Sequence, residues 1–132
     1  MTLYEGITLA SIVQKEVADP DESKQVAQVF YKRLGQGMPL GADATFVYAA
    51  KKAGATPTVD FDSPYNTRTH QGLPPGPISS PGVQALLAVA APAAGDYLFF
   101  VSGDDGKTYF SRTLEEHTAL TAQHCKKNCS LF

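Results

Sequence analysis

Six prolines fall between residues 57 and 81, at positions 57, 64, 74, 75, 77 and 81. Proline fixes φ and lacks an amide donor, so neither a helix interior nor a central strand holds that density. The stretch from Ala55 to Ser80 therefore reads as one long loop. Ordered loops of that length in compact domains are commonly functional, and this one is expected to form the wall of a cleft. The regular elements must come from the segments on either side.

Before the loop, Thr2 and Glu5 have capping-box spacing ahead of Ile7, Leu9, Ala10, Ile12, Val13 and Val17, an i, i+3, i+4 pattern that predicts a first helix ending near Ala18. Asp19-Pro20-Asp21-Glu22 supplies a cap, a proline at the first helical position and an acid two residues on. Val26, Val29, Phe30 and Leu34 then repeat at helical spacing as far as Gly35 or Gly37. Asp43 is placed to cap a short third helix from Ala44 to Lys52, closed by Gly54. Beyond the loop, Ser80-Pro81 reads as cap and first residue of a fourth helix to about Ala91. Tyr97–Ser102 and Lys107–Ser111 flank the turn residues Gly103-Asp104-Asp105-Gly106, a hairpin. Thr113 and Glu116 open a last helix with a second capping box. Several helices with one hairpin define an α+β fold in a single compact domain, expected over residues 1–122 with a polar tail at 123–132.

The chain of 132 residues has 43% hydrophobic and 18% charged residues, the make-up of an ordinary packed domain. Its net charge of −2 and the lack of a Lys/Arg cluster interleaved with aromatics argue against nucleic acid as a partner. The longest apolar stretch, Val83 to Ala93, is interrupted by Gln84 and Pro92 and falls far short of the roughly 20 residues of a membrane span. The N-terminus lacks the basic and apolar regions of a signal peptide. Cys125 and Cys129, beside His124, leave three readings open: an inert tail, a disulfide across one helical turn, or a metal site lacking an evident fourth ligand.

Glu16 is the residue best placed for chemistry. With Ile12 at zero on a helical wheel of about 100° per residue, Leu9 falls near 60°, Val13 near 100° and Glu16 near 40°. A carboxyl group is thereby set on the apolar face, while Gln14 and Lys15 point to the polar side. Desolvation disfavours the ionised form and raises the pKa, as a general acid requires. Position alone also admits an edge carboxylate that reaches water or pairs with a base. Glu5 has similar geometry but doubles as a capping residue. The chain has no GxGxxG, P-loop, HExxH or GxSxG, so dinucleotide, nucleotide, zinc-protease and hydrolase-elbow readings lack their motifs. No cofactor or metal is called for.

Several blocks carry a resemblance. Leu9–Glu16, Val29–Leu34, Gly37–Leu40, Tyr65–Thr67, Gly72–Ile78, Ser80–Gly82, Tyr97–Val101, and Phe110-Ser111 before Leu114 and His117 resemble, in order, the endolytic murein transglycosylase (YceG-like) family. In that family the glutamate closing the first block is the catalytic acid/base, which is Glu16 here. The resemblance implies substrate contacts from Asp43, Thr45, Tyr65, Asn66, Thr67, Leu73, Pro74, Pro75, Ser111 and His117. Gln14 stands where members often carry a second glutamate. The block around Asp43 and Thr45 lacks the usual glutamine and proline, and Arg68 replaces a frequent aromatic.

The reaction so implied cuts the MurNAc-GlcNAc β-1,4 bond of peptidoglycan without water and leaves a 1,6-anhydroMurNAc end. One carboxyl suffices because the C6 hydroxyl of the same sugar is the nucleophile. Peptidoglycan strands are the expected partner, with the cell-wall synthesis machinery as a second. The parent protein is expected to be membrane-anchored, carry a LysM-like domain and face the cell envelope. The competing readings are a hydrolase of the same polymer, drawing a second carboxylate from Asp43, Asp60 or Asp62, and a non-catalytic glycan-binding or scaffold module.

Overall fold

The computed structural model describes residues 1–127. In chain order the elements are α1 (Leu3–Glu16), α2 (Pro20–Gly35), α3 (Asp43–Lys52), α4 (Val83–Ala90), β1 (Phe99–Ser102), β2 (Thr108–Ser111) and α5 (Leu114–His124). This is the expected α+β architecture. Cys129 lies outside the described residues, and with it the pairing of Cys125.

Local chemistry explains most of the boundaries. Thr2 and Glu5 form the complete capping box of α1, Asp19 accepts from the Glu22 amide ahead of Pro20, and Thr113 accepts from the Glu116 amide. Helix α1 stops earlier than its apolar pattern suggests. Val17 is already extended, since Asp19 must also be extended to cap α2. Glu16 is therefore the last residue of α1.

Two other boundaries depart from expectation for tertiary reasons. Ala42, not Asp43, precedes α3 as its cap and offers no side-chain bond, because the Asp43 carboxylate is drawn to Arg68. Helix α4 begins at Val83 behind Gly82 rather than at Pro81. The segment before it is stitched to α1: the Ile78 amide donates to Ser11 Oγ, the Ser79 hydroxyl to the Ser11 carbonyl, and the Gly82 amide to Gln14 Oε1. The chain turns helical only where this stitching ends.

The core lies between α1, α2 and α4, with Leu9, Ile12, Val13, Val26, Phe30, Ala85 and Ala88 fully or almost fully buried. The antiparallel hairpin pairs Phe99 with Ser111 and Val101 with Tyr109. It is joined to the helices by an edge-on contact of Phe100 with Phe30, ring centroids 5.7 Å apart. Helix α5 buries no residue fully and lies against the hairpin, where His117 stacks on Phe99.

The long loop is held from within. The Asn66 side chain donates to the carbonyls of Val59 and Phe61 and accepts from the Arg68 amide. Thr67 and Thr45, both buried, share a hydroxyl contact of 2.9 Å and bond the backbone at Ala42 and Thr67. At Gly76 the loop presses so closely on α1 that a Cβ would collide with the Tyr4 hydroxyl. Replacing Asn66 by Ala removes three bonds from a fully buried group and is expected to cost about 2–4 kcal/mol, read as the shift in a urea unfolding midpoint at unchanged slope.

Candidate active site

The end of α1 opens into a cavity of about 380 Å³ lined by Glu16, Arg33, Leu40, Gly41, Asp43, Arg68, Phe100, Val101, Ser102, His117 and Thr121, within the range of small-ligand sites. Its walls come from α1, α2, the turn before α3 and the first residue of α3, the loop, β1 and α5.

Glu16 is half-buried, and its carboxyl makes no hydrogen bond or ion pair among the described residues. Burial is the largest influence on it, the negative charge of Asp43 adds to the effect, and the positive charge of Arg68 opposes it; the net result pushes its pKa up to about 7. The position at the carbonyl end of α1 acts in the same direction, because the helix dipole disfavours an anion there. Glu16 thus holds its proton far above the ordinary glutamate range and still carries it in substantial part at neutral pH.

The second carboxylate of the cavity is engaged. Asp43 Oδ1 accepts from Arg68 Nε at 2.8 Å and Nη2 at 2.7 Å. Arg33 is anchored by carbonyls: its Nε donates to Leu98 and its Nη1 to Pro39 and Leu40. Burial and the charge of Arg68 lower its pKa. Gly41 allows the two guanidinium groups to converge. Its φ is +65°, and a Cβ there would stand 3.1 Å from Arg33 Nη1 and 3.6 Å from Arg68 Nη1. Burial, and then the charges of Arg33 and Arg68, hold the His117 pKa below its ordinary value, and its buried Nδ1 has no hydrogen-bond partner among the described residues.

Of the residues expected at the site, Glu16, Asp43 and His117 line the cavity. Thr45, Asn66 and Thr67 are buried, do not line it, and bond the backbone. Ser111 is buried, its hydroxyl without a hydrogen-bond partner among the described residues. Tyr65 packs on Tyr48. Leu73 packs on the core, Pro74 is buried, and the Pro75 carbonyl accepts from Tyr4. Arg68 is the one residue of the 55–80 loop that lines the cavity, so most of the wall is built by α2, the segment from Leu40 to Asp43, the hairpin and α5. Arg33, Ser102 and Thr121 were not anticipated. Arg33 sits within the Val29–Leu34 block, but nothing in helical spacing shows that its fork reaches the end of α1.

A compact α+β domain with a desolvated, unpaired carboxylic acid in a polar cavity is the class this geometry defines. Residues 1–123 match the YceG-like family, and the chain belongs to it. It is 37% identical to the endolytic murein transglycosylase of Bacillus subtilis (strain 168), covering 89% of this chain and 33% of the relative. To the protein of that name from Streptococcus pneumoniae serotype 2 (strain D39) it is 35% identical, covering 94% and 24%. The crystal structure of a YceG-like protein from Listeria monocytogenes superposes with a TM-score of 0.82 at 41% identity, over 91% of this chain and 40% of that one. The chain spans a third or less of the length of these curated relatives.

The raised pKa has a stability consequence. Between its ordinary value of 4.5 and the folded value of about 7, the folded state binds more protons at Glu16 than the unfolded state. The resulting stabilisation is complete below the lower value and lost as pH rises through the upper one. Relative to Glu16→Gln, wild type should lose up to about 3 kcal/mol between acidic and mildly alkaline pH, measured by paired denaturant titrations.

Proposed function

We propose that residues 1–122 form the catalytic domain of a peptidoglycan lytic transglycosylase that cleaves the MurNAc-GlcNAc β-1,4 bond within glycan strands. The observation that carries this reading is the setting of Glu16: its carboxyl has no hydrogen-bond or ion-pair partner among the described residues, burial pushes its pKa up to about 7, and it faces a cavity whose other acid is held by an arginine. The names of the family's curated relatives support the same substrate.

In the proposed reaction Glu16 donates its proton to the glycosidic oxygen as the bond from that oxygen to C1 of MurNAc breaks. The C6 hydroxyl oxygen of the same sugar bonds to C1, and its proton passes to the Glu16 carboxylate, restoring the acid. No water is consumed, and the strand ends in 1,6-anhydroMurNAc. The intramolecular hydroxyl has a high effective concentration, so one protein carboxyl is enough. Asp43, which lines the same cavity, is proposed to stabilise positive charge developing at C1, while its ion pair with Arg68 disfavours a role as base. Tyr65 and the exposed Pro75 are proposed to meet the strand beyond the cavity, with Leu73 and the buried Pro74 acting through the position they give the loop. Thr45, Asn66, Thr67 and Ser111 act by holding the cavity walls. The work of such a domain places the parent protein at the cell envelope.

Mass spectrometry of purified glycan strands after digestion is the test. Anhydro ends are expected from wild type, and Glu16→Gln should reduce their formation by about 10²–10⁴-fold. Reducing ends would identify a hydrolase, and cleavage unaffected by Glu16→Gln would remove Glu16 from the chemistry. The wild-type rate is expected to fall as pH rises above about 7, the value at which Glu16 loses its proton.

A further inference from the structure

Arg33 and Arg68 line the cavity together with Asp43 and Glu16, and only the Asp43 carboxylate is paired with an arginine. Arg68 spends Nε and Nη2 on Asp43, leaving Nη1 without a hydrogen-bond partner among the described residues. Arg33 spends Nε and Nη1 on carbonyls, leaving Nη2 likewise. Its half-buried guanidinium lies over the Phe99 ring, 5.1 Å from the centroid, and has no carboxylate partner among the described residues. A desolvated cation without a counterion is costly unless a ligand supplies one, and the planar guanidinium fork is matched to carboxylate oxygens. Both groups crowd the same space over Gly41, where a side chain would intrude.

We propose that Arg33 and Arg68 form a carboxylate-binding subsite in the Glu16 cavity, through which the enzyme grips an acidic group of its glycan. The inference rests on the glycan-strand reading above and specifies the substrate form. Two sources share the chemistry: the lactyl carboxylate of a muramic acid stripped of its peptide, and a carboxylate of an attached stem peptide. A carboxylate bound at Arg68 also offsets the positive charge that opposes protonation of Glu16. Recognition of the substrate thereby helps retain the proton that the reaction needs.

The experiment measures binding by calorimetry for two pairs of strands, stem-free and stem-bearing, each compared with its counterpart in which the carboxylates are converted to neutral amides. Charge-assisted bonds of this kind predict an affinity about 10–100-fold higher for the acidic member of at least one pair, and the pair that shows it identifies the source. Arg68→Gln should reduce the preference to about twofold or less. Asp43→Asn, which releases Arg68 from its internal partner, should increase it, a gain that a purely structural role for the ion pair does not give. Circular dichroism and thermal melts monitor the fold of both variants, and the wild-type comparison decides the question if either fails to fold. Equal affinity within both pairs overturns the subsite but leaves cleavage by Glu16 untouched. A clear preference without anhydro products overturns the transglycosylase reading and leaves the subsite standing.

Discussion

Removing the Glu16 carboxyl from bulk water is the interaction around which the rest of the structure is arranged. An isolated carboxylate in such a place would be expensive, and the group responds by holding its proton. Its surroundings preserve that response: no donor among the described residues satisfies the anion, α1 ends there with its carbonyls, and the cation that opposes protonation, Arg68, is partly neutralised by Asp43. Many folds bury an acid and pair it. This one buries an acid and pairs its neighbour.

The scaffold maintains that condition by fixing where α1 stops and what covers its end. Asp19 requires extended backbone to cap α2, so α1 closes at Glu16. Ser11 and Gln14 bind the segment 78–82 along the other side of α1, while Asn66, Thr45 and Thr67 hold the loop that delivers Arg68. Gln14, where relatives often have an acid, thus serves a backbone amide and adds no second negative charge near Glu16. The Phe30 to Phe100 contact seats the hairpin, and through it α5 and His117, across the cavity.

Much of this was legible in the sequence because it is governed locally. The capping residues Thr2, Asp19 and Thr113, the glycine-rich hairpin turn and the apolar face carrying Glu16 follow from short-range rules, and the elements appear where those rules put them. The misplaced boundaries share a cause: Asp43 looked like a cap and Ser80-Pro81 like a helix start, but partners distant in sequence, Arg68 for one and Ser11 and Gln14 for the other, decide their conformation. The cavity was harder to read. Asn66 and Thr67 are polar residues in a long loop, and the sequence does not distinguish an amide that contacts a sugar from one that contacts the backbone. Arg33 and Arg68, remote in sequence, converge only because Gly41 leaves room. The assignment of Glu16 as acid/base came from the resemblance, and the wheel supplied the reason such an acid keeps its proton.

The account depends most directly on the ionisation of one group. Glu16 can be followed through its side-chain carboxyl carbon in a ¹³C NMR titration of the labelled protein, with Glu16→Gln identifying the resonance. A midpoint near 7 is the predicted result. A midpoint near 4.5, the ordinary glutamate value, would mean that the carboxyl is solvated and ionised at neutral pH and would contradict the account.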